Sequence, residues 1–145
     1  MNTYLKLSVS ACVALLISCQ TAQAGTIGYW KFEEGPVNTV ASGGNSLLDS
    51  SGNSLHMNPA GNPIYRAVPN PGSTLGLEFT NDLAFRNDGS QFQVSSFTIE
   101  AFIKYNGGGG LLSQIFFRGD SRAGLDPYYL GIYNGALRVN ISDLS

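Results

Sequence analysis

Apolar and polar residues alternate with a two-residue period along several stretches of this chain, most clearly from Ser95 to Tyr105. Phe97, Ile99, Ala101 and Ile103 share one face, and Thr98, Glu100, Phe102 and Lys104 share the other. This pattern predicts a strand of an antiparallel sheet, with one side buried and the other open to water or a ligand. Asn106-Gly107 supplies the positive backbone angles of a reversal, and Leu111 to Arg118 is the expected return strand.

The same period marks further elements. Gly28, Trp30 and Phe32 alternate against Tyr29, Lys31 and Glu33, which predicts a first strand with Trp30 and Phe32 inward. From Pro36 to Pro71 the chain turns rich in Gly, Ser, Asn and Pro, so short strands are expected at Val37–Ala41, Leu55–Asn58 and Ile64–Ala67. Leu75, Leu77 and Phe79 form the next inner row, and turns at Asn81-Asp82 and Asn87-Asp88-Gly89 bracket Leu83–Arg86. Asn134-Gly135 is a two-residue hairpin signal that sets Ile132 opposite Leu137, Leu130 opposite Val139 and Tyr128 opposite Ile141. No stretch after the leader repeats at helical spacing. About nine short strands are expected, which calls for an all-β, antiparallel β-sandwich.

Four segments carry a family resemblance: Tyr29-Trp-Lys-Phe-Glu-Glu-Gly35, Asp49-Ser-Ser-Gly-Asn53, Leu75-Gly-Leu-Glu-Phe79 and Phe97-Thr-Ile-Glu-Ala-Phe-Ile-Lys104. In that order and separation they resemble the laminin G-like, concanavalin A-like jelly rolls of secreted proteins, with Phe102 at the place of the family's usual Trp. The resemblance implies a laminin G-like jelly roll, a binding role outside the cell, and an incomplete domain, because the family pattern continues with further strands beyond Leu137–Ile141. Domains of this type hold a glycan or an extracellular surface protein.

Composition adds a compartment. Residues 1–24 carry Lys6, an apolar run from Leu7 to Ile17, and Ala22-Gln23-Ala24 before Gly25, which is the layout of a secretory signal peptide. The run is too short for a transmembrane span. Leu16-Ile17-Ser18-Cys19 also resembles a bacterial lipobox, which would make Cys19 a lipid anchor. Both cysteines, Cys12 and Cys19, fall in the leader, so a domain starting at Gly25 has no disulfide. Without Lys6, seven Lys and Arg face ten Asp and Glu, a formal charge of −3, and no basic cluster exists to hold nucleic acid.

Candidate chemistry is sparse. Asp49 and Asn53 flank a glycine in a short polar loop and can curl oxygens around a hard cation, with calcium the candidate and Asp82 or Asp88 completing the shell; the same residue types also build turns through their own backbone. His56 is the only histidine and has no ligand-spaced partner. Phe102, between Glu100 and Lys104 on the polar face, is the candidate ligand-binding platform, the competing expectation being that a loop covers it. Arg118-Gly119-Asp120 spells an integrin-type tripeptide, too short to specify a binding loop. Glucanases on the same sandwich resemble one another in carboxylates at alternating positions of one strand. Here Glu100 is followed by Ala101-Phe102-Ile103, and adjacent Glu33 and Glu34 point to opposite faces. The expectation is therefore a non-catalytic binding module, with a structural or adhesive segment of a larger surface protein as the alternative and a glycoside hydrolase third.

Overall fold

The computed structural model describes residues 25–70, 72–107, 112–119 and 128–142. The leader with Lys6, Cys19 and Ala24, the start of the return strand at Leu111, and Asp120 lie outside them.

Seven strands form three small antiparallel sheets, and no α-helix occurs among the described residues. β1 (Asn58–Ala60) pairs with β4 (Leu83–Phe85), and β2 (Ile64–Asn70) pairs with β3 (Ser73–Glu78). β5 (Leu112–Arg118), β6 (Tyr128–Tyr133) and β7 (Ala136–Ile141) form the third sheet, with β6 in the centre. A single 3-10 turn spans Ser90–Phe92. The described residues are thus β-rich and antiparallel, and the ladders among them show no sandwich or jelly roll.

Local signals explain most elements. Asn134 and Gly135 take φ values of 49° and 77°, the positive angles of a primed hairpin turn, and β6 and β7 pair in the expected register. Leu112–Arg118 is a strand as expected, but it pairs with β6 rather than with the segment before it.

That earlier segment is the main correction. Phe97 to Tyr105 enters no ladder among the described residues, and all of it except Ile99 is exposed. Alternation fixes which side chains share a face of an extended chain. It leaves open which other strand supplies the hydrogen bonds, and among the described residues β5 is paired on one edge only, with β6. The first strand is also reduced, to a single bridge from Trp30 to Asp49. Phe32 interrupts it with φ 59°, a left-handed conformation that a bulky residue adopts only against a steric cost. The Val37–Ala41 and Leu55–Asn58 stretches likewise appear mainly as isolated bridges, Val40 to Ile64 and Leu47 to Met57.

The core sits in the first half. Ala41, Leu47 and Tyr65 are its buried centre, with Leu47 wholly inaccessible, and Phe32, Met57, Leu77 and Ala84 pack around them. Phe32 also meets Phe79 edge to face at 6.3 Å. Burial of its ring against this cluster offsets the strain of its backbone.

The third sheet is fastened to residues 88–97 at one end. Phe97 packs on Tyr128 with ring centroids 4.4 Å apart, and the Tyr128 hydroxyl donates to the Val94 carbonyl at 2.9 Å. At the other edge, Leu137, Val139 and Ile141, expected inward, are 61–68% exposed. Their register matches the expectation, but nothing among the described residues covers that face of β7.

Candidate functional site

Two places gather the sequence's candidate residues, and they differ in character. The first is the Asp49 loop. Asp49 is only 8% exposed, and its carboxylate accepts four hydrogen bonds. One oxygen takes the backbone N–H groups of Tyr29 and Ser51, both at 2.9 Å; the other takes the Ser51 hydroxyl at 2.7 Å and the Leu55 N–H at 2.9 Å. Burial pushes this carboxyl group toward its neutral form, but the donors from Tyr29, Leu55 and Ser51 outweigh it and hold the group far below the usual carboxylate range. Asn53 is spent the same way, its amide donating to the carbonyls of Thr26 and Ile27 at 3.0 and 2.9 Å.

These residues do not fit a calcium shell. A hard cation needs six to eight oxygens with lone pairs turned toward it. Here the Asp49 oxygens face N–H and O–H donors, and Asn53 presents its amide nitrogen to the Thr26 and Ile27 carbonyls. Asp82 lies elsewhere, accepting from the N–H groups of Asn62 and Thr80 at 2.8 Å each, and Asp88 is bound to Arg118. Among the described residues no three His, Cys, Asp or Glu side chains gather as a metal group. The turn-building role is the one the geometry displays.

His56, which has no ligand-spaced partner in the sequence, closes this loop: its Nδ1 accepts the Asp49 N–H at 3.0 Å. Trp30 does so too, donating from Nε1 to the Leu55 carbonyl at 2.9 Å. Neither role is readable from spacing, because both partners lie across a loop whose path is set by tertiary contacts. A fourth acidic residue, Glu33, accepts from the Thr74 N–H at 2.7 Å and the Ser73 hydroxyl at 2.9 Å, which hold its carboxyl group below the ordinary range. Asp49, Asp82 and Glu33 therefore serve as acceptors for loop backbone, whereas Glu78 pairs with the Arg66 side chain at 2.6 Å.

The second place is the exposed stretch from Phe97 to Tyr105. Phe102 is 82% exposed, and Ile103 and Tyr105 beside it are also open. Glu100 and Lys104 are exposed and form no ion pair among the described residues. The structure thus brings Glu100, Phe102 and Lys104 together only as neighbours on one extended segment. The loop expected to cover Phe102 is not seen among the described residues.

Arg118 illustrates a motif that the fold consumes. It is 8% exposed, its Nε and Nη2 reach the two oxygens of Asp88 at 2.9 and 2.8 Å, and its Nη1 donates to the Phe92 carbonyl at 3.0 Å. The Asp88 carboxyl group is held below its usual range chiefly by the hydrogen bonds from Arg118. A guanidinium committed in this way is not displayed to a receptor.

No helix among the described residues is long and apolar enough to cross a membrane. Comparison of the chain with protein-family models, with curated proteins and with solved structures found no match.

Proposed function

We propose that this protein is an exported, non-catalytic binding module that holds a glycan or an extracellular surface protein. The exposure of Phe102 between Glu100 and Lys104 carries this reading. An open aromatic ring offers a stacking surface for the apolar face of a sugar, and the two flanking charges offer hydrogen bonds to its hydroxyls. The finer architecture proposed is the laminin G-like sandwich that the four sequence segments resemble, and the proposed location is outside the cell or at its surface, after removal of residues 1–24 or lipidation at Cys19. The spacing of carboxylates argues against hydrolysis. Calcium has no part in the reading, since Asp49 and Asn53 are committed to backbone groups.

The test is retention on a glycan array or a polysaccharide affinity gel, compared between the wild-type chain and Phe102→Ala. Retention that the substitution abolishes supports the reading; no retention by any glycan or extracellular matrix protein defeats it. A second reading, an adhesive segment without a small ligand, has its own observation. Among the described residues Phe97–Tyr105 enters no ladder and β7 has one unpaired edge, so both can take a strand from another chain.

A further inference from the structure

The strongest unassigned feature is the face of the third sheet opposite to the one that packs on residues 88–97. The β5–β6–β7 register places Phe117 and Asn140 beside Tyr129, Gln114 and Arg138 beside Gly131, and Leu112 and Ala136 beside Tyr133. A register shift between Gln114 and Phe116 makes this possible, because it turns Gln114 and Phe117 to the same side of β5. Together Leu112, Gln114, Phe117, Tyr129, Arg138 and Asn140 line a recess of about 250 Å³.

At its centre the Tyr129 ring lies back over Gly131. A side chain at position 131 would meet the Tyr129 Cζ and the Ser113 carbonyl oxygen, each at 2.6 Å, so only glycine lets the ring settle there. Tyr129 is 8% exposed, and its hydroxyl has no hydrogen-bond partner among the described residues. A buried hydroxyl without a partner costs free energy; its oxygen is closed off against Gly131, so a ligand's polar group would recover that cost as the ring lifts from Gly131.

We propose that this recess binds a carboxylate-bearing sugar, such as a uronate residue of an acidic polysaccharide. Arg138 is the single formal charge among the lining residues, and its planar fork matches a carboxylate. The amides of Gln114 and Asn140 each donate and accept, as sugar hydroxyls do, and the Tyr129 hydroxyl adds a further group of either kind once its ring lifts from Gly131. Phe117, half-exposed at the rim, offers a stacking face. The volume lies just below the ~300–1,000 Å³ of ordinary ligand pockets, which suits one sugar ring rather than several. The proposal rests on the glycan-binding reading for its ligand class, but it places the site on the third sheet and not at Phe102.

The experiment is affinity electrophoresis of the full chain in gels containing polygalacturonate or, at equal mass, neutral dextran, with a chelator present throughout. Retardation by polygalacturonate alone is expected, weakening as salt is added. Arg138→Gln and Tyr129→Phe should each weaken it about tenfold, and Lys31→Gln, which removes an equal charge outside the recess, should leave it unchanged. Tyr129→Phe removes one oxygen, so its thermal midpoint should equal or exceed that of the wild type, which separates lost binding from lost folding. Equal retardation by dextran would overturn the carboxylate assignment. Retardation unaffected by both recess variants would overturn the site while leaving the glycan-binding reading intact. Retention on other glycans, lost in Phe102→Ala and absent with polygalacturonate, would also overturn the site and uphold that reading.

Discussion

Removing the Asp49 carboxylate should unfasten the first half of the chain. Asp49→Ala deletes four accepted hydrogen bonds at once, three of them from backbone N–H groups. They are not equal. Tyr29 is exposed and Ser51 half-buried, so water can replace the carboxylate there, whereas Leu55 is buried and its N–H would be left without a partner. One orphaned buried donor costs about 1–3 kcal/mol, and the charge-assisted bonds to the other groups add to it less than additively. The expected loss is therefore about 3 kcal/mol, a large share of the roughly 5–15 kcal/mol that holds a domain together. Urea unfolding followed by the fluorescence of Trp30 is the assay, since Trp30 is the chain's single tryptophan and bonds to Leu55 beside the loop. With a slope near 1.5 kcal/mol/M, the midpoint should fall by about 2 M. Asp49→Asn should fall between the two, because its oxygen can still serve Tyr29 and Ser51 while its amide N–H groups oppose that of Leu55. The carboxyl group is held below its ordinary range, so its contribution is complete above about pH 4, the unfolded value, and is lost as the pH falls toward the native one. The wild type's advantage over Asp49→Asn should thus be flat from about pH 5 to 8 and shrink below about pH 4. A midpoint for Asp49→Ala within ~0.3 M of the wild type would refute the reasoning.

Other outcomes follow from the same contacts. Asp88→Ala leaves the buried Arg118 guanidinium without its bidentate partner and should lower stability by about 2–3 kcal/mol, less than a fully buried pair would because Asp88 itself is half-exposed; thermal melting checks it. Gly131→Ala should cost about 1–3 kcal/mol and alter the near-ultraviolet tyrosine dichroism, since the added carbon meets both the Tyr129 ring and a backbone carbonyl. Excess chelator should move the melting temperature by less than about 1 °C, and a larger drop would show that a metal stabilises the fold. Phe102→Ala should change stability by no more than ~0.5 kcal/mol, as its ring is almost wholly in water; a larger loss in chemical denaturation would mean that the ring is packed in solution.

Some of this protein could be read directly from its sequence. Asn134-Gly135 with alternating residues on either side determines both the turn and its register, because a two-residue loop admits only one pairing of its flanks. The strands at Ile64, Leu75 and Leu112 follow from the same local period, as does the absence of an α-helix among the described residues. Asp49 stood out as a residue with work to do, but a sequence offers the same Asp-x-x-x-Asn spacing to a cation and to a turn. Only the fold decided, by bringing Tyr29 and Leu55 to its oxygens from opposite directions. Partner choice was hidden for the same reason. The period of Phe97–Tyr105 is more regular than that of β6, yet β6 sits between two strands and the former enters no ladder among the described residues, because ladder hydrogen bonds form between chain segments that the local pattern does not name. The recess around Tyr129 depends most of all on tertiary structure: a register shift within β5, two strand pairings and a glycine beneath a ring place six scattered residues on one face, and no window of the sequence contains them together.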